Sequence, residues 1–491
     1  MNTFFDLIDS LVQRGLCDHC LGRQIGKLAT RTTNDERGRS LRLFHAMAHE
    51  FTIASTQPPE EDNSMETVEA CDCSKDSVEC SKDTSEINGG GGDQGVGITG
   101  DPEGIDTGTE KDQNPSGSLG FLHNGEISSA TQNNGESCSL CGGLFCEIDN
   151  FVDLVVEALD GYEYSTYLIG TVNDNDIIQA ESTLQEELEI TPYAESIKSE
   201  LNRVIGLKVF DRIGKEVSFG NPEIVAVVDT RFDSVSLQVT PIFLYGRYTK
   251  LDRTIPQTVW NCKRCRGRGC EYCDHTGKIY QTSVQEIIGD TIIEMTGGTR
   301  HLFHGMGRED IDARMLGTGR PFILEISQPQ RRNIDIEEAF QKVNAGSPDQ
   351  VGITTLAFTE RSEVSRIKNM KTDKSYLAEV EFEADVDESK LREVEKEFTD
   401  TIISQRTPTR VAHRRSDLVR KRKVINTNCR LLGGRHAAFT IKGESGLYIK
   451  ELIHGNEGRT QPSVSEFLGI ECRVVALDVL EVHYDDDLTK R

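Results

Sequence analysis

The segment HGMGREDIDARMLGTGRPF (304–322) gathers the carboxylates Glu309, Asp310 and Asp312 and the arginines Arg308, Arg314 and Arg320 among Gly305, Gly307, Gly317 and Gly319. A carboxylate held among guanidinium groups stays ionised at neutral pH and can attack an electrophilic carbon. Glycine lets the backbone turn sharply and approach a ligand. A structural salt-bridge network in a loop has the same composition, so these residues alone leave both readings open.

A second kind of chemistry lies in the cysteines. Eight of the 14 fall in C-x2-C pairs: Cys17/Cys20, Cys138/Cys141, Cys262/Cys265 and Cys270/Cys273. The first two pairs would complete one tetrahedral thiolate site if the chain folds back across the residues between them. The last two, in CKRCRGRGCEYC, could share another zinc, with Gly267 and Gly269 letting the tight four-residue loop close. The alternative is reduced or redox-active pairs without metal. With four thiolates engaged neither zinc has an open position, so the expected role is structural. Cys71, Cys73 and Cys80 read as incidental.

The net charge of -26 argues against a polyanionic partner, but its distribution does not. Residues 51–137 hold 18 Asp/Glu against 3 Lys/Arg, whereas residues 401–460 hold 13 Lys/Arg against 4 Asp/Glu. A basic segment in an acidic chain is the footprint of a polyanion site or else a solvated cationic face. The general acidity resembles that of proteins from high-salt cytoplasms. No run approaches the roughly 20 apolar residues that span a bilayer. The N-terminus lacks the basic n-region of a signal peptide, so a cytoplasmic protein with no membrane partner is expected.

These residues need elements to position them. At 491 residues the chain exceeds one ordinary core, and two or three domains are expected. Phe4, Leu7, Ile8, Leu11 and Val12 repeat at helical spacing, and residues 40–49 suggest another helix. Residues 54–137, with GGGGDQGVGITGDPEG, lack the apolar content to order themselves and read as a disordered acidic insertion. IVAVVDT (224–230) and VSLQVTPIFLYGRY (235–248) read as strands and AESIKSELNRVIG (194–206) as a helix. Beyond residue 276, SYLAEVEFEA and the terminal CRVVALDVLEVHYDD read as strands and ESKLREVEKEFTDTI as a helix. The TPTR turn with Pro408 predicts a loop within 406–415.

GREDIDARMLGTGRPF closely resembles the catalytic signature of the archaeal and eukaryotic family of tRNA pseudouridine synthases that carry an N-terminal THUMP-containing domain. CDHCLGRQIGKL (17–28), LYGRYTKLDRTIPQT (244–258), RTPTRVAHRR (406–415) and GLYIKELIHGNEGRTQPSVSEFLG (446–469) resemble the same family, in the same order. The insertion at 54–137 is the main departure, and the acidity marks the chain as similar to a haloarchaeal member.

The resemblance implies an α+β chain. A zinc-stapled, THUMP-containing α/β accessory domain would comprise residues 1–53 and 138–275. A catalytic domain with a mixed, mainly antiparallel sheet and flanking helices would comprise residues 276–491. It implies isomerisation of uridine to pseudouridine in the tRNA T-arm, at positions 54 and 55, with no organic cofactor and structural Zn2+. The family's G-R-x-D pattern maps the catalytic aspartate to Asp310, with Asp312 as the competitor. Tyr376 in KSYLAEVEF matches the active-site tyrosine, and Lys450 in GLYIKEL the basic partner of the aspartate, with Leu452 beside them or simply in the core. Substrate contacts would come from Arg308, Tyr376, Tyr448 and Arg247, and from Arg406, Arg410, His413, Arg414 and Arg415 in a mobile arm that enters the tRNA. Lys250 would extend the basic surface. The enzyme is expected to act as a monomer. A methyltransferase or thiolation enzyme would need a GxGxxG or GxxxxGK[ST] loop after residue 276, and neither pattern occurs. A non-catalytic zinc-stapled RNA-binding protein remains the second rival, and it predicts no effect of replacing Asp310.

Overall fold

The computed structural model describes residues 4–56, 138–414 and 416–484. It has two compact units, one of residues 1–41 with 135–491 and one of residues 42–134. Within the second unit the described residues, 42–56, are the C-terminal part of one helix. The insertion expected at 54–137 lies, from residue 57 on, outside the described residues.

The first unit opens with α1 (Phe4–Val12), which buries Ile8 and Leu11 on the face expected from their spacing. Helix α2 (Asp18–Arg23) begins at Cys17, and α3 runs from Asn34 to Thr56. After Cys138 and Cys141 come α4 (Ile148–Leu159), β1 (Thr166–Val172), α5 (Asn175–Glu187), α6 (Ile197–Ile213), β2 (Glu216–Val217), β3 (Ile224–Asp229) and β4 (Ser234–Val239). The sheet order is β2-β1-β3-β4, with β2, β1 and β3 parallel and β4 antiparallel. Alternating β1 and β3 residues, Tyr167, Ile169, Ala226 and Val228, join Phe151, Val155, Leu201 and Ile205 in one core with Cys17, Cys20, Cys138 and Cys141. The α/β accessory fold therefore shares its core with the first cysteine cluster.

The apolar run 235–248, expected as strand, divides between two sheets. Strand β4 ends at Val239, and β5 (Ile242–Lys250) begins beyond Pro241, which has no N–H to continue a ladder. Strand β5 joins a ten-stranded sheet with β6 (Arg300–Gly305), β7 (Arg314–Ser327), β8 (Val351–Thr359), β9 (Lys374–Phe382), β10 (Thr401–Arg406), β11 (Val419–Gly433), β12 (His436–Gly443), β13 (Thr460–Gln461) and β14 (Cys472–Val482). The order is β13-β10-β11-β12-β9-β14-β7-β5-β8, with β6 on β7. The large sheet thus begins at Ile242, whereas the sequence reading put residues up to 275 in the accessory domain.

Helices α7 (Val284–Thr296), α8 (Ile336–Gly346), α9 (Ser362–Asn369), α10 (Glu388–Phe398), α11 (Ile449–His454) and α12 (Val464–Leu468) flank the sheet. Helix α10 stops short of the expected DTI. Asp400 takes a left-handed φ of 61°, and Thr401 and Ile402 start β10, where β-branched residues fit the pleat.

The pairs in this sheet are antiparallel except β14 with β7, which run parallel and share only the registers Asp478↔Arg314 and Val479↔Met315. Two cores lie on either side of this weak seam, and Tyr376 packs against both. The sheet opens there, just after the loop that carries Asp310. Among the described residues no helix is long and apolar enough to cross a membrane.

Candidate active site and cysteine clusters

The loop between β6 and β7 brings Gly307 to Asp310, and Ala313, onto the wall of a cleft of about 590 Å³. Adjacent residues there part company. Glu309 turns inward, its side chain 1% exposed, and accepts from Arg320 Nε at 2.8 Å and from the Tyr248 hydroxyl at 2.9 and 2.8 Å. Gln257 Nε2 donates to that hydroxyl at 2.8 Å and to the Gly307 carbonyl at 3.0 Å. This buried network anchors the loop, because removing one member would leave an uncompensated buried charge. Gly317 keeps the following strand close: at φ +62° its Cβ would run into the Leu480 carbonyl.

Asp310 faces the cleft. Its carboxylate oxygens lie 3.0 and 2.9 Å from Arg410 Nη1 and 3.7 Å from Lys450 Nζ. Arg410 is itself held by buried Glu451, at 2.7 Å from Nε. Burial alone would lower the Arg410 guanidinium's pKa, but hydrogen bonds and charge from Glu451 and Asp310 outweigh it and hold it above its ordinary value. Lys450 is closer to Asp312, at 2.7 Å, than to Asp310. Asp312 is 66% exposed, and it is Asp310 that lines the cleft. The carboxylate is therefore set among cations: Lys450 is the partner the resemblance implied, but the three arginines of its own segment are engaged elsewhere. Arg320 is taken by Glu309, Arg314 donates to the Leu251 carbonyl, and Arg308 lies over the Trp260 ring at 5.5 Å.

Tyr376 and Tyr448 line the same cleft, with Arg410 5.9 Å from the Tyr448 ring centroid. Burial pushes the Tyr376 phenol up to about 12, so it is neutral at pH 7. Leu452 is an ordinary core residue, 1% exposed. Arg247 does not join the cleft. It is buried, and its guanidinium donates to the carbonyls of Thr318, Gly319, Val482 and Tyr484, tying β5 to β7 and β14. The basic surface expected at Arg247 and Lys250 is therefore corrected. Lys250 is equally buried and donates to the carbonyls of Ile255 and Ile311. Burial of both reflects their place on β5, a strand with neighbours on both sides. Arg406 pairs with Asp417 at 2.6 Å, outside the cleft. The expected loop at 406–415 contains one short 3-10 helix, Thr409–Arg414. The side chains of His413 and Arg414, and residue 415, lie outside the described residues.

Sequence reasoning missed Glu451, the Glu309–Arg320–Tyr248 network and Lys374. The last had a signal: Lys374 shares the inward face of β9 with Ala378, Val380 and Phe382, at period two. Lys374 lines the cleft and donates to the Thr372 carbonyl at 2.8 Å and hydroxyl at 3.1 Å. Burial, then the charge of Arg320, pushes its ammonium down to about 8 from 10.5. Between those values the unfolded chain holds the extra proton, so this residue's contribution to stability rises with pH from about 8 to 10.5 and is absent below. Lys374→Met is expected to remove up to about 3 kcal/mol of that pH dependence. Denaturant unfolding at intervals across the window measures it. A wild-type-to-variant difference that stays constant with pH would contradict the shift.

Each four-cysteine group could hold a metal ion, its sulfurs all within 4.8 Å of one another. A tetrahedron of thiolates around zinc at about 2.3 Å has an edge of about 3.8 Å. Cys17–Cys141 is 3.8 Å, Cys262–Cys270 3.9 Å, Cys265–Cys273 3.8 Å and Cys270–Cys273 3.7 Å. Backbone N–H groups of Cys17, Gly269 and Cys270 donate to Cys138, Cys265 and Cys273 sulfurs, favouring thiolates. Hydrogen bonds from Cys141, then Cys17 and Cys20, hold the Cys138 thiol far below the ordinary range. The tight loop of the second group closes through left-handed backbone at Arg266, Gly267 and Gly269, with φ of 54°, 92° and 88°.

Comparison with known proteins agrees with this arrangement. The Pus10 THUMP domain, archaeal, matches residues 151–229, and the Pus10 C-terminal domain matches residues 243–483. The tRNA pseudouridine synthase Pus10 of Methanothrix thermoacetophila is 36% identical over 469 residues, covering 95% of this chain and 91% of that one. That of Methanopyrus kandleri is 34% identical over 483 residues, covering 97% of each, and that of Halorubrum lacusprofundi 41% over 362, covering 72% and 84%. Matched in both halves by the domains of one family, and nearly end to end by its members, the chain belongs to the Pus10 family of pseudouridine synthases.

Proposed function

We propose that this enzyme isomerises uridine to pseudouridine at positions 54 and 55 of the tRNA T-arm, with Asp310 as the catalytic aspartate. The observation that carries the reading is a carboxylate on the cleft wall, ion-paired to Arg410 and within 4 Å of Lys450, beside the neutral phenol of Tyr376. The reaction breaks the N1–C1′ bond and forms C5–C1′, with the C5 proton lost and N1 protonated. Nothing is oxidised or reduced, so no organic cofactor is required.

The target base must leave its stack, at a cost of roughly a few kcal/mol. The Tyr376 ring can recover part of that cost, and Tyr448 and Arg308 offer further flat surfaces in the same cleft. Arg410 has two duties, pairing with Asp310 at 2.9 Å and, with Lys450, offering positive charge to a nearby phosphate. Arg406 and the 413–415 residues would extend that surface along the RNA.

The same reading makes both cysteine groups structural zinc sites. It divides the chain into an accessory domain, of residues 1–53 and 138 to about 241, and a catalytic domain from β5 onward, with 54–137 inserted in the accessory domain. The protein would act as a monomer on cytoplasmic tRNA of a high-salt archaeal cell.

Incubating an unmodified T-arm transcript with purified protein and mapping pseudouridine by site tests the proposal. Modification at 54 and 55 is the expected result. Modification confined to other tRNA positions would refute the T-arm assignment, and none at all would refute the reading as a whole.

A further inference from the structure

We propose that the second cysteine cluster is an RNA-docking knuckle, whose exposed cations hold the phosphate backbone of the substrate beside the catalytic cleft. The inference rests on the tRNA reading above. Within residues 262–273 the sulfurs of Cys262, Cys265 and Cys273 are buried inside, and Lys263, Arg264, Arg266 and Arg268 project as exposed residues around them. The knuckle's core consists of its cysteines alone. A metal would therefore fix a small rigid loop whose outer surface is almost wholly charge.

Charge pairing separates this rim from an ordinary solvated surface. The chain has 81 Asp/Glu against 55 Lys/Arg, and many of its arginines are neutralised: Arg406 by Asp417, Arg410 by Asp310 and Glu451, Arg473 by Glu381. Among the described residues none of the four rim cations has an ion pair. Arg268 donates only to the Cys265 carbonyl, at 3.2 Å, and Arg264 lies over the exposed Tyr272 ring at 4.2 Å. The knuckle's own acids are Glu271 and Asp274, both exposed, while Glu286 at its foot is taken by Lys278. Four cations without an ion pair and an arginine–tyrosine stack suit a polyanion with flat bases, which is RNA rather than an acidic peptide.

Its position agrees. Trp260, at the foot, accepts from Ile279 N–H at 2.9 Å and meets Tyr280 edge-on at 5.6 Å. Arg308, two residues from Asp310 and lining the cleft, covers the Trp260 ring, and Gln257 ties the same connection to Gly307. The knuckle is thus rooted on the cleft wall, and RNA held on its rim would lie alongside the opening.

The test compares binding of unmodified tRNA transcript by wild type and by the Lys263→Gln, Arg264→Gln, Arg266→Asn, Arg268→Gln variant across a salt series. Asparagine tolerates the left-handed backbone at 266. Kd is expected to rise at least about tenfold, and the slope of log K against log salt to become shallower by about 2 to 3, the signature of lost phosphate contacts. Zinc content, measured alongside, reports whether the knuckle remains folded. If the fourfold variant loses zinc, the double variant Lys263→Gln, Arg266→Asn takes its place, with a slope change of about 1 to 2 expected. Wild-type affinity and slope in a zinc-loaded variant would overturn the proposal. Binding is read without catalysis, so a wild type that binds tRNA but forms no pseudouridine sinks the reaction assignment and leaves the rim to be judged by its own variants.

Discussion

Asp310→Asn is expected to reduce pseudouridine formation by on the order of 10⁴-fold or more, while tRNA affinity stays within about threefold. The substitution preserves size and removes only the charge. The surrounding cations keep other partners: Arg410 retains Glu451 at 2.7 Å, and Lys450 retains Asp312 at 2.7 Å. The loop also keeps its anchor, because Glu309, Arg320 and Tyr248 lie beneath it and do not involve Asp310. Lost activity can then be read as lost chemistry rather than lost fold. Asp312→Asn is the control. Its side chain is largely exposed and outside the cleft lining, so a loss below about tenfold is expected, from a weakened hold on Lys450. Single-turnover assays with site-resolved mapping decide between them. An active Asp310→Asn beside a dead Asp312→Asn would move the catalytic aspartate two residues along the chain.

Cys20→Ser is expected to have the largest effect on stability, lowering the bound zinc from two ions per chain to one and the melting temperature by on the order of 10 °C. Cys20 is fully buried, in the same cluster as Phe151, Val155 and Tyr167, so the first cysteine group is part of the accessory core. A metal held there would join Cys17 and Cys20 to Cys138 and Cys141 across the residues between them, and without it those two ends would be tied mainly by packing. Cys262→Ser should also release one zinc, but with a smaller change in melting temperature. Among the described residues the second cluster shares no apolar core with the others, so its loss is expected to unfold the knuckle locally. Metal analysis and thermal melting of the two variants check both statements. Wild-type protein purified without zinc, or a Cys20→Ser chain that melts like wild type, would contradict the structural role.

The cysteine chemistry was legible early because it is local. A C-x2-C pair brings two sulfurs together within one turn, and Gly267 and Gly269 signal the tight loop between pairs. Of the site's cations, Lys450 was legible only through the family resemblance, and the pairing with Arg410 was not legible at all, because it is not local. Asp310 is neutralised by a guanidinium 100 residues away, whereas three arginines within ten residues of it serve Glu309, Leu251 and Trp260. Similarly, the run 235–248 gave a strand pattern, but its division at Pro241 between two sheets depends on which edge each half meets. Arg247 was expected at the substrate-binding surface and is instead enclosed between β7 and β8.

By itself, then, the amino-acid order determined the helices and strands with clear periodicity, the paired thiols and the G-R-E-D segment, all of which depend on neighbours a few residues apart. Tertiary structure alone decided which carboxylate turns to the core and which to the cleft, and which cation meets it. Successive residues of an extended segment point to opposite sides, and the charge waiting on each side comes from whichever distant strand the sheet has brought there.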